Sequence, residues 1–257
     1  MLEYSRMSFI KLSKKLSPDP VSSKSDSGVC RFPLTAEELS RRQNPTTIHE
    51  LSWRIFRIMA EFVDGFQLLS ETKKEVTFWG GTQILPESPW YKFAEELAGK
   101  VAKDGFTVIT GGGPGIMEAA NKGAKMCGGE SVGFNIQLPQ EQGLNAYVTK
   151  GHLFHYFFSR KVIMASSAQA YIFFPGGFGT LDEFFEIVTL IETKKMQKIP
   201  VVCVGKEFWN GLFHWMKSVQ LDKFHTIHAS DLSLIQVIDT VEEAYQIISK
   251  SEERTFF

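Results

Sequence analysis

The sequence predicts an α/β protein, an open parallel sheet with helices on both faces, preceded by a helical extension. Two observations carry this. From Glu75 onward, apolar runs of strand length alternate with amphipathic stretches of roughly a dozen residues, the pattern of right-handed crossovers into a parallel sheet. Three glycine clusters, at 80–82, 111–115 and 175–180, each follow such a run, where sheets of this kind bind ligands beyond the carboxyl ends of their strands.

The totals bound the reading. With 257 residues and 43% apolar content the chain can bury one large core. A net charge of −1 offers no general field for nucleic acid or anionic membrane. Cys30, Cys127 and Cys203 are scattered, without a C-x-x-C pair, as suits a reducing compartment. The apolar runs are strand-sized and the N-terminus lacks a continuous hydrophobic region, so a cytoplasmic protein with no membrane span is expected.

Taken in order, residues 1–45 read as a flexible tail, because SPDPVSSKSDSG cannot bury enough surface to fold alone. The basic Met1–Leu16 piece reads as a solvated tail rather than a membrane-surface helix. Thr46 or Thr47 starts a helix within 46–72, with Glu50 placed for a capping box. Trp53, Ile55, Phe56, Met59, Phe62, Val63 and Phe66 make it apolar on more than one face, so it packs on its own domain or on a second subunit. The α/β domain is expected over 73–250, with a short tail at 251–257.

Within that domain Glu75–Trp79 is a strand and Tyr91–Asp104 a helix closed by Gly105. Phe106–Thr110 is a strand, Ile116–Cys127 a helix and Ser131–Leu138 a strand. Residues 139–150 form a polar loop and His152–Ala165 a helix. Tyr171–Phe174 is a strand buried on both faces, followed by a helix over 181–193 that Thr180 caps. Ile199–Val204 is a strand, Phe208–Val219 a helix, Ile227 the head of a short strand, and Val241–Lys250 the last helix.

The glycine loops make ready anion sites, with free N–H groups and the positive end of a helix. They lack a full G-x-G-x-x-G and the Gly-Lys-Ser/Thr ending of a nucleotide motor loop, which disfavours a redox dinucleotide and a triphosphate motor. Asp182 and Glu183 stand beside the third loop, awkward neighbours for a phosphate unless one of them acts on the ligand. Taken without the glycines, Glu183 would read as an ordinary first-turn helix charge. His152 and His155 could share a metal, but pocket-edge or surface roles suit them better, and Cys203 reads as core. The aromatic set Phe154, Tyr156, Phe157 and Phe158 suits either a purine stack or packing.

The nonapeptide Pro175-Gly176-Gly177-Phe178-Gly179-Thr180-Leu181-Asp182-Glu183 resembles the PGGxGTxxE signature of the Lonely Guy (LOG) family, proteins often labelled lysine decarboxylase. GGGPGIMEAANKGA at 111–124, the Arg160-Lys161 pair and PVVCVG…FW at 200–209 agree with it. The likeness covers about residues 74–250. It implies a modified Rossmann fold, usually dimeric, that hydrolyses the N-glycosidic bond of nucleoside 5′-monophosphates such as AMP or cytokinin ribosides. It implies neither metal nor cofactor.

On that resemblance Glu183 is the catalytic carboxylate and Arg160 its partner, holding Glu183 or the phosphate through a bidentate pairing. Gly176, Gly177, Phe178, Gly179 and Thr180 bind the phosphate. Lys161, Thr189, Glu141, Gly112 and Gly113 complete the substrate site. A departure from many relatives at Ser167-Ala168-Gln169-Ala170 bears on base specificity. Two other readings accompany this one: a non-catalytic binder of a nucleotide or phosphorylated cofactor, such as a molybdenum-cofactor carrier, and a pyridoxal-phosphate decarboxylase with Lys161 as its Schiff-base lysine.

Overall fold

The structure, a computed structural model, describes residues 48–137 and 143–254. Among them, seven strands form one sheet: β1 (Glu75–Trp79), β2 (Thr107–Thr110), β3 (Ser131–Ile136), β4 (Lys150–Phe154), β5 (Ala170–Phe173), β6 (Val201–Val204) and β7 (Ile235–Ile238). Their order is β4-β3-β2-β1-β5-β6-β7 and every neighbouring pair is parallel. The helices are α1 (Ile48–Ser70), α2 (Pro89–Lys103), α3 (Ile116–Met126), α4 (Phe157–Ser166), α5 (Phe178–Glu192), α6 (Lys206–Trp215), the short α7 (Ala229–Leu232) and α8 (Val241–Ile248). This is a Rossmann-like α/β fold.

Two apolar cores, one on each face, follow from strands whose residues are buried on both sides. Phe78, Ile172, Phe174 and Val202 pack under α2, α3 and α8 through Leu97, Ile116 and Ile248. Ile109, Phe134, Phe173 and Val201 pack under α4, α5 and α6 through Ile163, Phe184 and Trp209. Such alternation of side chains across the pleat lets a continuous apolar run serve both cores at once.

The chain walks outward from β1 to β4, then returns to lay β5 against the other side of β1. This reversal opens a crevice at the carboxyl ends of β1 and β5. The loops there are stitched together: Phe174 N–H donates to the Trp79 carbonyl at 2.8 Å and Gly81 N–H to the Pro175 carbonyl at 2.9 Å. Gly115, before α3, has φ +71°, and a Cβ there would stand 2.3 Å from the Gly81 carbonyl oxygen. Only glycine meets both demands.

Several elements differ from expectation. Residues 150–154, read as loop and helix, are strand β4; as an edge strand with a mixed pattern of Lys, Gly and His, it lacks an unbroken apolar run. The last strand lies at Ile235–Ile238 rather than at Ile227. Helix α5 begins at Phe178, so Gly177 and not Thr180 occupies the N-cap. The helix expected over 208–219 ends at Trp215 and passes into a π-helical turn, Met216–Leu221.

Helix α1 sends Phe62, Leu68 and Leu69 into the core, while Trp53, Phe56, Met59 and Val63 are more than half exposed. The expected tail 1–45, the capping threonines Thr46 and Thr47, and Cys30 lie outside the described residues. At the other end, Gln169 Nε2 donates to the Ser251 carbonyl at 3.1 Å and Arg254 Nη1 to the Ala165 carbonyl at 3.0 Å, so 251–254 packs on the domain.

Replacing Gly115 by Ala adds a backbone clash to an unfavourable φ and is expected to cost more than about 2 kcal/mol in urea unfolding. Gly128→Ala, with φ +79° but open space around it, should cost only about 1 kcal/mol. Equal losses would show that the contact with Gly81 is not what requires glycine.

Candidate active site

The crevice between β1 and β5 holds a hollow of about 240 Å³ lined by Trp79, Gly81, Met117, Phe157, Arg160, Gly177, Gly179, Thr180, Asp182 and Glu183 among others. Its floor is the turn from β5 into α5. Pro175 ends the strand, and Gly176 folds so tightly that a Cβ would stand 2.1 Å from Thr180 Oγ1. Gly177 at the N-cap brings no side chain, so no capping group covers the N–H groups of Phe178 and Gly179. A helix start of this kind suits an anion.

Glu183 lies one turn into α5, its side chain only 7% exposed. Burial pushes its carboxyl up to about 7 from 4.5; the charge of Glu186 adds to this, and Lys161 and Arg160 oppose it. Lys161, on α4, reaches across to three carboxylates, with its Nζ 2.9 Å from Asp182, 3.3 Å from Glu183 and 2.8 Å from Glu186. Spaced at i, i+1 and i+4, these acids share one side of α5. Burial works against the Lys161 charge, but the hydrogen bonds to Glu186 and Asp182 hold its pKa above the ordinary lysine value.

Arg160 is fixed differently. Its Nε donates to the Phe134 carbonyl at 2.8 Å, and its guanidinium lies 5.9 Å from the centre of the Trp79 ring. Burial lowers its pKa and the charge of Glu183 raises it. The cation in contact with Glu183 is thus Lys161; of the two partners expected for Arg160, Glu183 or a phosphate, Glu183 forms no ion pair with it among the described residues. Gly111 leaves Arg160 room, since a Cβ there would stand 2.5 Å from Nη2.

Arg160, Glu183, Lys161, Gly176, Gly177, Gly179 and Thr180 therefore come together. Phe178, between two lining glycines, does not itself line the hollow and is 93% exposed. Thr189 lies further along α5, exposed and away from the hollow, where its carbonyl accepts the Thr193 N–H at 2.9 Å. Gly112 and Gly113 are buried to one side, their carbonyls taken by Asn145. Glu141 lies outside the described residues. Of the aromatic set, Phe154 and Tyr156 are buried, Phe158 is partly exposed against Tyr156, and Phe157 lines the hollow while 55% exposed. His152 packs on Phe154 at 4.6 Å and His155 faces Glu61, so the two do not converge.

Sequence reasoning passed over Trp79, Met117 and Glu186. Trp79 ends β1 at the reversal point, a signal that the sheet order alone makes readable. Its Nε1 is buried and has no hydrogen-bond partner among the described residues.

A family model described as "Possible lysine decarboxylase" matches residues 117–248, just over half the chain. The cytokinin riboside 5′-monophosphate phosphoribohydrolase of Rhodococcoides fascians is 27% identical over 161 residues, covering 60% of this chain and 80% of its own. The protein of that name from Mycobacterium tuberculosis is 29% identical over 168 residues, covering 62% and 86%. Among solved structures, the molybdenum cofactor binding protein of Rippkaea orientalis superposes with a TM-score of 0.52 at 21% identity, covering 69% of this chain and 96% of that one. The structure of TM1055 does so with a TM-score of 0.51 at 24% identity, covering 69% and 99%. The two structures show the shared fold.

The carboxyl of Glu183 makes a test of its own. With a folded pKa near 7 against 4.5 unfolded, its neutral form contributes stability that is full below about 4.5 and lost as pH rises through about 7. Glu183→Gln should therefore unfold at a higher midpoint than the parent at about pH 8, by about 1–3 kcal/mol, and the gap should close toward pH 4.5. A gap that does not vary with pH would contradict the raised pKa.

Proposed function

The chain belongs to the LOG family, whose model is described as possible lysine decarboxylase, and from that premise we propose that it hydrolyses the N-glycosidic bond of nucleoside 5′-monophosphates. The products are free base and ribose 5-phosphate. The observation that carries this reading is Glu183: a buried carboxylate with its pKa near 7, one turn from a helix start fit for phosphate.

The 5′-phosphate takes the N–H groups at the start of α5, and the ribose C1′ then comes to Glu183. As the C1′–N bond breaks, positive charge builds on the sugar and the Glu183 carboxylate stabilises it. Glu183 also draws a proton from the attacking water, whose oxygen joins C1′ while a proton ends on the departing base. Arg160 and Lys161 balance the negative charge of phosphate and carboxylates. The hollow is smaller than the ~300–1,000 Å³ of usual ligand pockets, so the base projects past Phe157 and Phe178 toward the rim. AMP and cytokinin riboside monophosphates are the substrates we favour, with a homodimer as the working assembly.

The family's descriptive label fits the residues poorly. A Schiff-base lysine must be neutral to attack, whereas Lys161 is held in its charged form by three carboxylates. A carrier of a phosphorylated cofactor would have no use for a buried carboxylate against the phosphate.

Incubated with AMP or isopentenyladenosine monophosphate, the protein should release free base, and Glu183→Gln should lower kcat by 10³-fold or more. The rate should rise with pH through 7 or slightly above as Glu183 loses its proton. Tight AMP binding without base release would replace the hydrolase with the carrier.

A further inference from the structure

Helix α4, which carries Arg160 and Lys161, does not cap itself. Its N-cap is Tyr156, whose side chain makes no capping hydrogen bond. The turn from β4 into α4 is closed instead by Glu61, 94 residues earlier than His155, on α1. Glu61 Oε1 accepts the His155 N–H at 2.7 Å, and Oε2 accepts the Tyr156 N–H at 3.4 Å and the Ser159 hydroxyl. The His155 ring adds Nδ1 at 3.2 Å from Oε1.

Glu61 is 4% exposed, in a helix whose outer face carries far more apolar side chains. A carboxylate so placed costs several kcal/mol unless donors surround it, and removing it would leave those donors unpaired. Packing of α1 does not require it, since Phe62, Leu68 and Leu69 supply apolar contact with the core. A negative charge at the positive end of α4 is favourable, and it grips Ser159, the residue before Arg160. Helix α1 also lies outside the stretch 117–248 that the family model matches.

We propose that Glu61 is a positioning residue: α1 uses it to lock the start of α4 and so to set Arg160 and Lys161 against Glu183. Its catalytic consequence rests on the hydrolase reading; its geometric consequence does not. If the lock is released, both cations draw back from a carboxylate otherwise flanked by Glu186 and Asp182. Both cations hold the Glu183 pKa down, so their withdrawal raises it.

The test compares Glu61→Gln with the parent at a temperature well below both melting points. Glu61→Gln keeps the size of the side chain and one acceptor. Two quantities are read: kcat with AMP, and the titration of the Glu183 carboxyl by carbon-13 NMR without ligand, assigned with Glu183→Gln. The expected result is a fall in kcat of tenfold or more with a rise in KM, since both cations also face the phosphate, and a Glu183 pKa raised by half a unit or more. Ser159→Ala, which removes one of the bonds and leaves α1 packed, should move both readouts the same way by less, and it carries the test if Glu61→Gln fails to fold. A lower melting point with kcat and titration unchanged would overturn the proposal, leaving Glu61 a purely structural residue. Absence of base release in the parent, with the titration still shifted in Glu61→Gln, would sink the hydrolase and leave the positioning role standing.

Discussion

The site depends on holding one carboxylate out of water between two cations. Burial pushes the Glu183 carboxyl up and Lys161 and Arg160 push it back down, leaving it at about 7, where it gains and loses a proton readily. The two cations reach that balance by different routes. Lys161 is neutralised by carboxylates of the same helix face, whereas Arg160 is pinned by a backbone carbonyl and an indole ring. Lys161 is thus largely spent on the protein's own carboxylates, and Arg160 keeps the less compensated positive charge at the hollow.

The sheet reversal between β1 and β5 brings these groups together. It places the turn before α5 opposite Trp79 and Gly81, and the crossover through β4 swings α4 over the same edge. The loops are tight enough that Gly176 can have no side chain without displacing Thr180.

The order of strands and helices around this crevice was legible because β1, β2, β3, β5 and β6 are buried almost throughout and carry Val, Ile, Phe and Trp at strand spacing, with glycine clusters or helical stretches after them. β4 and β7 were misplaced for the opposite reason: they are edge strands, half exposed, with Lys150, His152 and Gln236 interrupting the run. The glycine turn and Glu183 stood out in the sequence, since a carboxylate beside an anion site is a local contradiction. The contact of Lys161 with Glu183 and the grip of Glu61 on α4 did not, because both join separate helices and leave no periodic trace. Thr189 shows the converse, since its helix is right and its position along that helix takes it out of the hollow.

The most direct check is a crystal structure of the Glu183→Gln variant with AMP bound. The account predicts the phosphate within hydrogen-bond distance of the Phe178 and Gly179 N–H groups, C1′ beside residue 183 and the base out toward Phe157. A phosphate seated instead on the Gly111–Gly115 loop, with C1′ remote from residue 183, would contradict it.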